Sequence, residues 1–137
     1  MSWVFYALSA MVLFSGMHLV FKKLGVLGVS SSVMLFFIFL AGAIAYPLYI
    51  YFTGEKVLLN KEIILWIFLA AVLSIIANLL SLKAFLSAPN PGYTTALGSL
   101  GAIIVTVASY FIFASEITAI KFAGIILGIL AVILITI

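Results

Sequence analysis

Three polar residues interrupt the longest apolar run of the chain: Ser74, Asn78 and Ser81. Positions i, i+4 and i+7 share one face of an α-helix, so the run carries a hydrogen-bonding stripe on an otherwise oily surface. An Asn side chain has four hydrogen-bonding positions to fill. The stripe reads either as interhelical packing, where such contacts contribute about 0.6 kcal/mol each, or as the lining of a polar cavity. On the second reading Ser74, Asn78 and Ser81 are candidate solute contacts. His18, the one histidine, is the only group near an apolar run that titrates around neutral pH when unperturbed. It lies about one turn from Lys22, a placement that also suits a headgroup-level residue with no role. Any proton coupling would have to run through it, because the three acids, Glu55, Glu62 and Glu116, all fall in polar connections or at helix ends. An acid within a span is the usual device for binding protons or cationic drugs, and none is present.

The same inventory argues against an enzyme. There is no Cys, which removes thiolate metal sites and Cys nucleophiles together. The single His has no spanning carboxylate partner, so no Ser/His/acid set can form, and no cluster of metal ligands is present. The glycines sit inside apolar runs rather than in a phosphate loop opening a helix after a strand. Neither a cofactor nor a metal is expected.

Hydrophobic residues fill 68% of the 137 positions and charged residues 7%, against about 25% charge in a soluble domain. The chain is expected to be a single integral membrane domain spanning residues 1–137, multi-pass, in the plasma membrane. Its six lysines lie at the ends of apolar runs and are too sparse for a nucleic-acid footprint. Lys83, near the end of the third run, is expected to snorkel to the interface.

Five runs are long enough to cross a bilayer as helices, and they are read as spans at about 3–21, 31–52, 63–86, 93–113 and 118–137. They lack the alternating polar residues of barrel strands, so the fold class is an all-α membrane protein. Trp3, Phe5 and Tyr6 open the first span like an interfacial belt, and Lys22-Lys23 rather than a cleavage site follows it, so it is read as retained. Ser30, Ser31 and Ser32 offer N-cap hydroxyls to the second. Pro47 should kink or loosen its last turn. Ala88-Pro89-Asn90-Pro91-Gly92 breaks the third span from the fourth, and Ser115-Glu116-Ile117-Thr118 separates the fourth from the fifth, with Thr118 as its N-cap. Gly98 and Ala102 form a small-xxx-small pair, and Gly124 and Gly128 a second, both read as close helix packing.

These parts resemble the drug/metabolite transporter superfamily, in particular one five-helix EamA-like half. The resemblance runs the length of the chain. It is carried by Ala88-Pro89-Asn90-Pro91-Gly92-Tyr93, by Ser115-Glu116-Ile117-Thr118, and by Phe122 to Gly128 with its two spaced glycines. Gly16 and Lys23 are similar to a family Gly and Lys. Ser115 stands where the family usually has Gly, Gly101 falls near a common Pro, Ser15 replaces a common Trp, and His18 falls where Asn is frequent.

The resemblance implies alternating access around a cavity near the first, third and fourth helices of each half. It adds His18, Asn78 and Ser99 as cavity candidates and leaves Glu116 a structural helix end. It also implies a dimer, because most members join two halves of opposite topology in one chain. The expected function is transport of a small metabolite or drug-like solute. The alternatives are a lipid-linked metabolite flippase and a non-transporting subunit that partners another membrane protein. With five spans, Lys22, Lys23 and Lys83 fall on one side and Lys56, Lys61 and Lys121 on the other. The excess of Lys and Arg that sets orientation is missing, so an antiparallel homodimer is expected, with a parallel two-fold dimer or pairing with an oppositely oriented paralogue as runner-up.

Overall fold

The computed structural model describes residues 3–114 and 116–136. Ser115 and Ile137, at the start of the expected turn and the end of the fifth span, lie outside the described residues. Regular structure among the described residues is entirely helical: α1 Trp3–Val26, α2 Ser31–Thr53, α3 Lys61–Ser87, α4 Pro91–Ser99, α5 Gly101–Phe113 and α6 Ala119–Thr136. The chain divides into two compact units, Met1–Ser87 and Ala88–Ile137.

Length and composition together make these membrane helices. At a rise of 1.5 Å per residue, the 23 to 27 residues of α1, α2 and α3 extend roughly 35–40 Å, enough to cross a hydrocarbon core. The stretch Pro91–Phe113 supplies a fourth span of 23 residues. With 18 residues, α6 extends roughly 27 Å. The surface confirms the solvent. Trp66 is 63% exposed and Leu73 59%, and apolar surface on this scale belongs against lipid.

The helix ends follow local chemistry. The Asn60 side chain accepts from the Ile63 N–H at 2.8 Å, so α3 starts at Lys61, two residues before the apolar run. The Asn90 side chain accepts from the Gly92 N–H at 2.8 Å, and Pro91 opens α4 where its missing N–H costs nothing. Thr118 accepts from the Lys121 N–H at 3.4 Å, the long edge of a capping bond. The serines before α2 behave differently. Ser30 holds the N-cap position with extended backbone, yet its hydroxyl makes no capping bond and lies 3.4 Å from that of Ser32. Pro47 does not end α2, which runs on to Thr53. There Gly54, at φ 67°, adopts the left-handed conformation that closes the helix by donating to the Ile50 carbonyl at 3.0 Å.

In the first unit α3 packs against both α1 and α2. Phe21, Met34, Leu35, Leu82 and Phe85 form the buried cluster, sited toward the end of α1, the start of α2 and the end of α3. Burying each such side chain contributes roughly 1.5–3 kcal/mol. Gly25 of α1 faces the Leu86 side chain of α3, which would have to shift to admit a Cβ there.

In the second unit α6 packs on α4, with Val132 buried and Ile125 and Ile129 half-buried on the same face. The fourth span, Pro91–Phe113, is built from two helical segments that meet at Leu100, whose backbone stays right-handed helical at φ −61° and ψ −24°. The Leu100 N–H donates to the Leu97 carbonyl and the Ile103 N–H to that of Leu100, at 3.1 and 3.0 Å. These are i to i+3 bonds, a locally tightened turn, and Gly98 and Gly101 on either side lower the helical propensity there. Within the second unit the spaced glycines do not mark close packing. A Cβ at Gly98, Gly124 or Gly128 would meet nothing within 4 Å, because α6 turns its Ile125, Ile129 and Val132 face inward instead.

Candidate functional site

The polar stripe of α3 meets α1 at one place. His18, Asn78 and Ser81 line a small pocket of about 30 Å³ together with Met17, Phe21, Leu35, Leu82 and Phe85. Helical periodicity brings them there: Asn78, Ser81, Leu82 and Phe85 follow one face of α3, and Met17, His18 and Phe21 one face of α1. The His18 ring stacks on Phe85 with centroids 4.1 Å apart and planes inclined by 29°. Phe14 and Phe21 flank it at 6.5 and 6.4 Å. Its Nδ1 is buried and meets no hydrogen-bond partner.

Asn78 is turned along its own helix. Its Nδ2 donates to the Ser74 carbonyl at 2.8 Å and to the Ser74 hydroxyl at 3.1 Å. Those bonds stay inside α3, so the amide does not tie α3 to a neighbour, which weakens the interhelical-packing reading of the stripe. Ser74 thus orients Asn78 and is not itself a wall of the pocket. Asn78 and Ser81 are both exposed.

Ser99 lies in the second unit. It ends α4 beside the tightened turn at Leu100, and its hydroxyl donates to the Ala96 carbonyl at 2.6 Å. It lines a groove of about 390 Å³ with Thr106, Lys121, Gly124 and Gly128. The open faces of those two glycines make that space.

Two residues of the site escape a reading by polar type. Phe85 continues the stripe at i+11 from Ser74 and supplies the surface on which His18 rests; extending the spacing by one more turn would have found it. Lys22 is not only a headgroup anchor. Its ammonium donates to the carbonyl of Leu86 at 3.0 Å and of Phe85 at 3.4 Å, serving the last turn of α3, where unpaired carbonyls carry partial negative charge. No group of three or more His, Cys, Asp or Glu that could hold a metal occurs among the described residues.

The profile of the EamA-like transporter family matches residues 1–137. The chain belongs to the EamA-like transporter family. That places it in the drug/metabolite transporter superfamily, a family of membrane transporters for small solutes rather than of enzymes. An EamA-like chain of five apolar helical runs is consistent with a single half. Neither the curated proteins nor the solved structures contain a match.

Proposed function

We propose that this EamA-like chain is one half of a small-solute transporter that works as a dimer in the plasma membrane by alternating access. The observation that carries the proposal is the convergence of His18, Asn78 and Ser81 in one pocket between apolar helices. Polar groups on membrane-spanning helices are costly to keep against lipid and characteristically line a solute path. A second feature supports it. Ser99 lines a groove with Thr106 and Lys121, further polar groups carried on apolar helices. On this reading His18, Asn78, Ser81 and Ser99 contact the solute, and Ser74 holds Asn78 in place.

A lone half offers a path with one wall, so a second half must supply the other. The open faces of Gly98, Gly124 and Gly128 are surfaces onto which another helix backbone fits closely. The partner is a second copy of the chain, antiparallel to the first, with the lysine balance as the argument for both orientations. The same open faces equally suit a different membrane protein, and this favours the non-transporting subunit as second reading. Uptake of amino acids, sugars and nucleosides into proteoliposomes holding the purified chain alone separates the two. Transport by the chain alone supports the first reading. Its absence, with strict copurification of another subunit, supports the second.

A further inference from the structure

We infer that the His18 pocket is a subsite for a single hydroxyl group, water's in the resting protein and the solute's when one is bound. The second half of this statement rests on the transporter reading; the first does not.

The volume argues first. About 30 Å³ exceeds the roughly 10–15 Å³ that one water needs and falls far below the roughly 300 Å³ of a metabolite pocket. One small group fits, and a whole metabolite does not. The lining argues second. His18 Nδ1 is buried without a partner, and a buried polar atom of this kind is ordinarily completed by protein or by ordered water. The Asn78 amide nitrogen is committed to Ser74, so its carbonyl oxygen is the part left to accept. Ser81 contributes a hydroxyl, which both donates and accepts.

The lining thus offers a guest an imidazole nitrogen, with an amide and a hydroxyl beside it. A neutral imidazole carries its proton on either nitrogen. An O–H group donates to Nδ1 in one tautomer and accepts from Nδ1–H in the other, while keeping a contact with Asn78 or Ser81. A quaternary ammonium can do neither. No acidic side chain lines the pocket to pair with a cation, and the rest of the wall is Met, Leu and Phe, which leaves a bulky polar head unsolvated.

The test uses the full chain, with ¹⁵N-labelled histidine, reconstituted in lipid vesicles and read by solid-state NMR in H₂O. The inference expects the His18 Nδ1 signal of a hydrogen-bonded nitrogen and a magnetisation-transfer contact with water. In Ser81→Ala and Asn78→Leu that contact weakens roughly fivefold, the equivalent of about one hydrogen bond. A Nδ1 with neither a hydrogen bond nor a water contact overturns the inference. Adding mannitol or inositol, against their fully O-methylated counterparts, decides the source of the hydroxyl. Displacement of the water contact by the polyols and not by the ethers supports the solute half. A water contact untouched by every polyol overturns that half and leaves the water site standing. Failure of the transporter reading is seen separately, as absence of solute flux in the same vesicles.

Discussion

The Lys22 ammonium lies 3.0 Å from the Leu86 carbonyl oxygen. With it, α1 grips the last turn of α3 at three successive turns: His18 under the Phe85 ring, Lys22 on the Phe85 and Leu86 carbonyls, and Gly25 against the Leu86 side chain. Positions 18, 22 and 25 are i, i+4 and i+7, one face of α1. The grip fixes the wall of the polar pocket, since Phe85 takes part through both its ring and its carbonyl.

Lys22→Met should loosen that grip. It removes a charge-assisted, part-buried hydrogen bond at a helix C-terminus, a loss of about 1–2 kcal/mol. The expected outcome in detergent is a thermal midpoint several degrees lower, whereas Lys22→Arg recovers most of it. An unchanged midpoint for Lys22→Met would show that the α3 carbonyls are served equally well by water.

Asn78→Leu is expected to abolish solute flux in proteoliposomes with little change in stability. Its amide bonds are made to Ser74 in its own helix, so the substitution breaks no link between helices. Leu also suits an exposed position in a lipid-facing helix. Flux at the native rate would return the stripe to a packing role. A collapsed protein would show instead that Asn78 holds the fold.

Ala114 ends α5 at φ 49°, the left-handed conformation, with its N–H donated to the Ser109 carbonyl. A residue with a Cβ pays roughly 1–2 kcal/mol there, and Gly does not. Ala114→Gly is accordingly expected to stabilise the chain by about 1 kcal/mol, less the extra entropy that Gly loses on folding. A midpoint that falls on substitution would mean that the left-handed turn is not the one the protein adopts in a membrane.

Much of this is legible in the sequence. Apolar length and the lack of alternation dictate helices in lipid, and the spacing of Ser74, Asn78 and Ser81 placed them on one face. That the face meets His18 follows from how α1 and α3 pack, and periodicity within one helix carries no record of a neighbour's rotation. Phe85 extends that face by one more turn, but its stack on the imidazole, like the meeting with His18, depends on how α1 and α3 pack. The tightened turn at Leu100 has no single marker in the sequence. Gly98 and Gly101 each lower helical propensity modestly, and no Pro announces the turn. The direction faced by Gly124 and Gly128 depends on which stripe of α6 wins against α4, a contest between Ile125, Ile129 and Val132 and the smaller residues beside them.

Orientation supplies the last prediction. Lys and Arg in short loops hold the cytoplasmic side, and this chain divides its lysines evenly, with Lys22, Lys23 and Lys83 at one set of helix ends and Lys56, Lys61 and Lys121 at the other. The Lys22 contact bears on the count, because an ammonium bound to the end of α3 is held near the membrane boundary and still opposes translocation of that end. Lys83, exposed on α3 one turn before Ser87, is the closest to lying within the span, and its removal from the tally leaves only a one-lysine bias. Both orientations are therefore expected to insert, and the two pair as an antiparallel homodimer. Lys56→Gln with Lys61→Gln should then force a single orientation and abolish flux, and co-expression with a Lys23→Gln/Lys83→Gln chain of the opposite bias, which keeps the Lys22 contact, should restore it. A tag at the C-terminus, probed from each side of intact cells, reads the topology directly. Labelling from one face alone in the unaltered chain rules out the dual-topology pair and leaves the parallel dimer or a different partner.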